Sequence, residues 1–255
     1  MHIPDGYLSI STCAALYAGA APFWMIAMRR VRRLLLTRFV PMLALFAAFS
    51  FVISMFNLPL PGGTTGHATG VAIAAIVLGP WGAVLAISVA LVIQALLFGD
   101  GGITAIGANC LNIAVVGSFV AAGTYRLIAA GAPLESRRRV IAAGAAGYLA
   151  LNASALVTAI ELGIQPILFR DGSGAPLHAP YPLEVAVPAM MLGHLTIAGL
   201  AELVVTAGIV SWLQRHEPSL LRLEGVTADS GRPRSLRPMW AGLCALMLLT
   251  PLGLV

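Results

Sequence analysis

The densest chemistry in this sequence lies in its first two residues. Met1-His2 offers an α-amine, a peptide nitrogen and an imidazole nitrogen in succession. Together they close fused five- and six-membered chelate rings on one metal ion. A second imidazole completes a square plane, the geometry that nitrogen ligands impose on Ni(II) or Cu(II). His67, ending the run Gly-Gly-Thr-Thr-Gly-His at 62–67, is the natural source of that fourth nitrogen. Removal of an initiator methionine requires a small second residue, so bulky His2 is expected to leave Met1 in place. The amine, with an ordinary pKa of ~8, and the peptide nitrogen must each lose a proton, which makes binding pH-dependent. That requirement favours a cation that polarises amides strongly, nickel over zinc. Taken alone, a histidine at position 2 reads as an exposed terminus and His67 as a hydrogen-bonding loop residue; their conjunction on one face is what suggests a metal site. Pro4, Asp5 and Gly6 then turn the chain, as a tail that folds back on the protein requires. Asp5 is suited to capping a helix, orienting an imidazole or attracting cations.

The elements that position these residues follow from composition. The chain has 255 residues, 59% hydrophobic and only 10% charged, where a soluble domain carries about 25% charge. Its mean hydropathy of +0.91 and long apolar runs predict an all-α polytopic membrane protein in the cell (inner) membrane. All fifteen positive charges are arginines, so no phosphate-loop lysine exists and no Walker-type nucleotide site can be written. No nucleotide is expected on this chain. The glycines at 99, 101 and 102 do not open a dinucleotide-binding unit.

Fourteen arginines fall in three clusters, at 29–38, 126–139 and 215–237, and such clusters mark cytoplasmic loops. The net charge of +5 therefore belongs to the membrane surface and not to nucleic acid. Apolar segments occupy 12–28, 39–56, 71–98, 111–127, 140–162, 183–213 and 240–255. The stretch 71–98 contains Gly79-Pro80-Trp81-Gly82, and splitting it there places every arginine cluster on one side. The expected topology is about seven to eight transmembrane segments with the N-terminus outside, lacking the basic region of a signal peptide. The polar run 62–70 must fold into the bundle, since such backbone survives at membrane depth only inside protein. Three regions are expected: a metal-capture domain at 1–213, an Arg/Pro-rich cytoplasmic linker at 214–239 and a C-terminal apolar helix at 240–255.

Other candidates have plainer readings beside the functional ones. Cys13, Cys110 and Cys244 read as small hydrophobes, with a bridge or soft-metal role for Cys13 and Cys110 as the alternative. Glu161, His194 and Glu202 lie in apolar segments, where ionisable groups are expensive. His194 and Glu202 share a helix face, which suits an interhelical hydrogen-bond pair, a proton path or a second metal station. Asp100 fits a tight turn or a role beside the His67 loop, and His178 an exposed loop or a cation collector. His216 falls on the cytoplasmic side with no chemistry of its own. Ala14, Ala18 and Pro22, with Ala15 and Gly19, give the first helix a close-packing face.

Three stretches carry a family resemblance: Met-His-Ile-Pro-Asp-Gly-Tyr-Leu at 1–8, residues 62–70 around His67, and Gln-Ala-Leu-Leu-Phe-Gly-Asp-Gly-Gly-Ile-Thr at 94–104. Over residues 1–213 the chain resembles the substrate-capturing membrane (S) component of energy-coupling-factor nickel/cobalt transporters, and its wording is closer to the nickel branch. The resemblance implies a square plane of nitrogens from Met1, His2 and His67 around Ni(II) as substrate, with Co(II) as the alternative. It also implies partners: a transmembrane coupling subunit, two ATPase subunits and a small accessory membrane protein. Residues 240–255 look like the first helix of that accessory part, although no second helix follows. Two rivals are a metallo-enzyme, which lacks any HExxH pair here, and a stand-alone secondary transporter, which should show inverted repeats.

Overall fold

In the computed structural model, residues 1–32, 39–60 and 64–221 are described. The expected segment 240–255, Cys244 and the linker beyond residue 221 lie outside them. The chain forms helices α1 (Ile10–Val31), α2 (Phe39–Ser54), α3 (Val71–Ile93), α4 (Ile106–Asn109), α5 (Ser118–Ala129), α6 (Arg137–Leu168), α7 (Leu183–Gly193) and α8 (Gly199–His216). Three π-helical segments continue them: Gln94–Phe98 extends α3, Cys110–Gly117 links α4 to α5, and His194–Ala198 links α7 to α8. The described residues therefore carry five apolar helical stretches long enough to cross a membrane, plus the shorter α2. One departure from an all-helical chain is a small antiparallel hairpin, β1 (Leu58–Leu60) with β2 (Thr64–Gly66), immediately before His67.

The interior is built for close helix approach. Ala74, Ala108, Ala114, Ala121, Ala143, Ala150, Ala155 and Ala159 are fully buried, and small side chains let helix backbones pack tightly in lipid. The outward faces expose Leu127, Leu192, Ile197 and Val204, while Asn112, Glu161, His194 and Glu202 are buried. Apolar outside and polar inside is the pattern a lipid-solvated bundle requires. The largest core cluster includes Met1 and Ile3, packed with Val71, Leu91, Cys110, Leu151 and Met190. The N-terminal tail is thus a core element of the bundle.

The 28-residue stretch Val71–Phe98 would measure ~42 Å as one straight helix. His67 just before it and Asp100 just after it both meet His2, so the chain must reverse between them. Gly79 makes the reversal: its φ of 74° and ψ of 165° break the helix before Pro80. Only glycine adopts that backbone without strain. The following Trp81 lies under the Arg30 guanidinium at 4.9 Å, which sets this corner at the arginine-bearing end of α1. The break the sequence places at Gly79-Pro80 is thus present as a sharp bend.

At the other end of α1, Tyr17 packs on Gly107 of α4. A Cβ there would meet Tyr17 Cγ at 2.6 Å and its Cα at 2.7 Å. Gly107→Ala should therefore destabilise the bundle by about 1–3 kcal/mol. Gly123→Ala, with open space around it, should be silent or slightly stabilising. Thermal unfolding of the two purified variants checks the contrast; equal midpoints would refute the packing argument.

Candidate metal centre

The centre is assembled around the tail. Ile3 is clamped through its backbone: Asn109 Oδ1 accepts from its N–H at 2.8 Å, and Asn109 Nδ2 and the Gly102 N–H donate to its carbonyl at 3.2 and 2.8 Å. Asp5 accepts from the Ile103 and Thr104 amides at 3.1 and 2.8 Å and from the Thr104 hydroxyl. These bonds, the Thr104 hydroxyl foremost, hold the Asp5 carboxyl below the usual range. Gly102 is compelled by this fit, because a Cβ would stand 2.4 Å from the Asp5 nitrogen. Further along, His178 meets the Gly6 carbonyl at 3.0 Å, the Ala179 N–H donates to Tyr7 O at 3.1 Å, and Gln165 Oε1 accepts from Ser9 N at 3.0 Å.

Held this way, residues 1 and 2 enter the bundle. Met1 is 0% exposed and His2 5%. The Met1 amine donates to the Thr65 carbonyl and, at 3.3 Å, to the Thr65 hydroxyl. Burial lowers its pKa to about 5, against the opposing pull of Asp100. His2 Nδ1 shares a proton with Asp100 Oδ1 at 2.9 Å. Asp100, which burial alone would push up, is held below the carboxylate range by that hydrogen bond and by the nearby His2 ring and amine. Gln94 supports Asp100 at 3.4 Å and binds Ser54 at 2.6 Å.

His67 completes the cluster from β2 and the turn before α3. Its ring lies 4.6 Å from that of His2, tilted by 33°. Its Nδ1 donates to the Ala68 carbonyl at 3.0 Å, which leaves Nε2 as a lone-pair donor. Burial first, then the His2 ring, the amine and the His194 ring keep His67 neutral, well below the ordinary imidazole pKa. Nε2 of both His2 and His67 is buried without a hydrogen bond among the described residues. Among those residues no three His, Cys, Asp or Glu side chains converge as metal ligands.

The structure thus brings Met1, His2 and His67 together, with Asp100 behind His2. Among the described residues His194 and Glu202 are not hydrogen-bonded to each other. His194 Nδ1 binds the Met190 carbonyl at 2.8 Å, and Glu202 Oε2 accepts from the Thr69 and Gly70 amides at 2.6 and 3.0 Å. Glu202 thereby fixes the start of α3 directly after His67, where the positive end of a helix favours an anion. Asn109 and the tail contact of His178 were invisible in the sequence. A conjoined Met-His-Ile tail that must be buried is the one signal that called for such backbone partners. Glu161 joins Asn112 at 2.6 Å inside the bundle, away from the imidazoles.

Comparison with known proteins now decides the family. Residues 2–220 match the family described as cobalt uptake substrate-specific transmembrane region. The chain belongs to this family. It is 62% identical, over its whole length and 73% of the relative, to the fused nickel transport protein NikMN of Rhodobacter capsulatus. It is 46% identical, over its whole length and 75% of the relative, to the probable fused nickel transport protein LarMN of Lactiplantibacillus plantarum. The crystal structure of a truncated transition metal transporter superposes with a TM-score of 0.81 at 49% identity, covering 85% of this chain and 99% of that one. As a member of this family the chain is a multi-pass membrane component of transition-metal uptake, with metal ions as its substrate and no enzymatic role.

The buried amine carries a pH consequence. Its pKa is about 5 when docked and ~8 when free. Docking of the metal-free tail is therefore strongest above pH 8, weakens as pH falls because only the free tail takes up a proton, and levels off below pH 5. Hydrogen-exchange protection of residues 2–8, corrected for intrinsic rates, should fall across that window; constant protection would count against a buried amine.

Proposed function

We propose that this protein captures Ni(II) as the substrate-binding membrane subunit of an ATP-driven energy-coupling-factor importer. The Met1 amine, the His2 amide and imidazole, and His67 would hold the metal in a square plane. The observation that carries this reading is the convergence of a buried neutral amine, the His2 imidazole and the His67 imidazole, whose Nε2 lacks a partner among the described residues. His2 Nδ1 is the ring nitrogen that closes a six-membered chelate with its own amide. Loading exchanges its Asp100 hydrogen bond for a metal bond and leaves the Asp100 carboxylate beside a cationic complex. The amide proton is the one that must still be lost, because the amine and His67 are already neutral at pH 7.

The tail faces the outside, and the arginine-bearing ends of the helices face the cytoplasm. A transmembrane coupling subunit and two ATPase subunits supply the energy, consistent with a chain that has no lysine for a phosphate loop. A small accessory membrane protein completes the assembly. Nickel is favoured by the strong amide polarisation that the chelate demands and by the names of the similar proteins. Co(II) is the second reading, supported by the family's description.

Acetylating the Met1 amine removes one nitrogen of the fused rings and leaves both imidazoles in place. Titration of Ni(II) into the native chain should produce the visible band of square-planar nickel. In the acetylated chain the band should vanish and affinity fall by about a hundredfold or more, ~2.7 kcal/mol. Equal bands in both chains would overturn the terminal chelate.

A further inference from the structure

The arginine-bearing end of the bundle holds a cation that the metal centre does not use. Arg30, exposed in the last turn of α1, lays its guanidinium over the Trp81 ring at 4.9 Å. Trp81 meets Phe119 of α5 edge-on at 4.9 Å, and Phe23 of α1 lies 6.4 Å from Trp81 and 6.1 Å from Phe119. The three rings form an aromatic platform where α1, the Gly79 bend and α5 meet. A guanidinium held over an aromatic face keeps its in-plane N–H fork for an oxygen-bearing partner.

Among the described residues no carboxylate meets that fork. Their single ion pair is His2–Asp100 at the tail end of the bundle. Glu135 and Glu217, the acids that flank the arginine-bearing helix ends, are not paired with an arginine there. A cation beside lipid is costly unless it is paired. The surroundings of Arg30 face lipid: Met25, Ile26 and Met28 of α1 are exposed, and Ile26 stands one turn before Arg30. On α5, Phe119, Gly123 and Arg126 follow at spacings of four and three, which puts them on one helix face. No described residue stands within 4 Å of a Cβ built at Gly123, and Arg126 is exposed. A notch therefore opens on this face between the platform's Phe119 and a second guanidinium.

We propose that this platform binds one anionic phospholipid, with the headgroup phosphate on the Arg30 and Arg126 guanidiniums and an acyl chain along the Gly123 notch. A phosphate is the acceptor that a guanidinium fork suits, and basic pockets between helices near the membrane surface take such headgroups. Trp81 supplies the amphipathic ring that settles at headgroup level. Two features select a lipid over a soluble anion: the apolar exposed flank of α1 beside the fork, and the position of Arg30 at the end of a 22-residue helix of membrane-spanning length. A lipid held here braces the corner formed by α1, the Gly79 bend and α5.

The probe is phosphatidylglycerol with brominated acyl chains, which quenches tryptophan on contact, in phosphatidylcholine vesicles that hold the full-length chain. At equal mole fraction it should quench the native chain more than brominated phosphatidylcholine does, and Trp81→Phe should remove that excess. Arg30→Gln should lower the apparent affinity for phosphatidylglycerol about fivefold. Arg215→Gln, in the last turn of α8, should leave it unchanged. Equal quenching of the native chain by the two lipids overturns the site. An equal loss in Arg30→Gln and Arg215→Gln overturns it too, because attraction by total charge then explains the preference. Inorganic phosphate should not abolish the excess quenching; if it does, the forks take a free anion and the lipid assignment fails. Arg30 is exposed, so its replacement leaves the packed core intact and keeps the comparison decisive even if Trp81→Phe disturbs folding.

Discussion

Burying a chain terminus in a membrane protein takes an amine and several peptide groups away from water, and each must then find a partner inside the protein. The rest of this structure answers to that constraint. Asn109 matches both the donor and the acceptor of Ile3, Gly102 leaves room for the backbone of Pro4 and Asp5, and Asp5 accepts three bonds from the loop. Burial also strips the proton from the amine, since a charged ammonium would cost far more than a neutral one in that setting. The same desolvation that makes the tail hard to bury makes its nitrogens available to a metal.

The fold supplies the second half of the pair by folding one apolar stretch back on itself. Gly79 turns Val71–Phe98 so that both of its ends arrive at His2. One end delivers His67, fixed by the Glu202 carboxylate on the following amides; the other delivers Asp100, fixed by Gln94. The His2 imidazole is positioned by the Asp100 carboxylate, and the His67 imidazole by the Ala68 carbonyl in a turn whose following amides Glu202 holds. Such supporting bonds commonly decide how well a metal-binding histidine is oriented.

Much of this was legible in the sequence, for physical reasons that differ by feature. Helices announced themselves through apolar length, the arginine-rich ends through charge, and the bend through Gly79-Pro80, because each is a local property of the chain. The convergence of Met1, His2 and His67 was legible because chelate-ring chemistry restricts the candidates severely. The partners were not: Asn109 lies 106 positions from Ile3, and Glu202 133 from Thr69. Nothing local distinguishes an asparagine that clamps a backbone from one that satisfies a helix. The helical spacing of His194 and Glu202 suggested that they pair with each other, yet each turns to a different backbone partner. The π-helical segment at His194 shifts the helical register that the spacing assumed, and it is invisible to a 3.6-residue period.

The central claim concerns which atoms touch the metal, and X-ray absorption on the Ni(II)-loaded full-length chain addresses it directly. The account predicts four nitrogens in a single short shell, two of them from imidazole, with the edge features of a square plane. A six-coordinate shell of mixed nitrogen and oxygen in the native chain would contradict it.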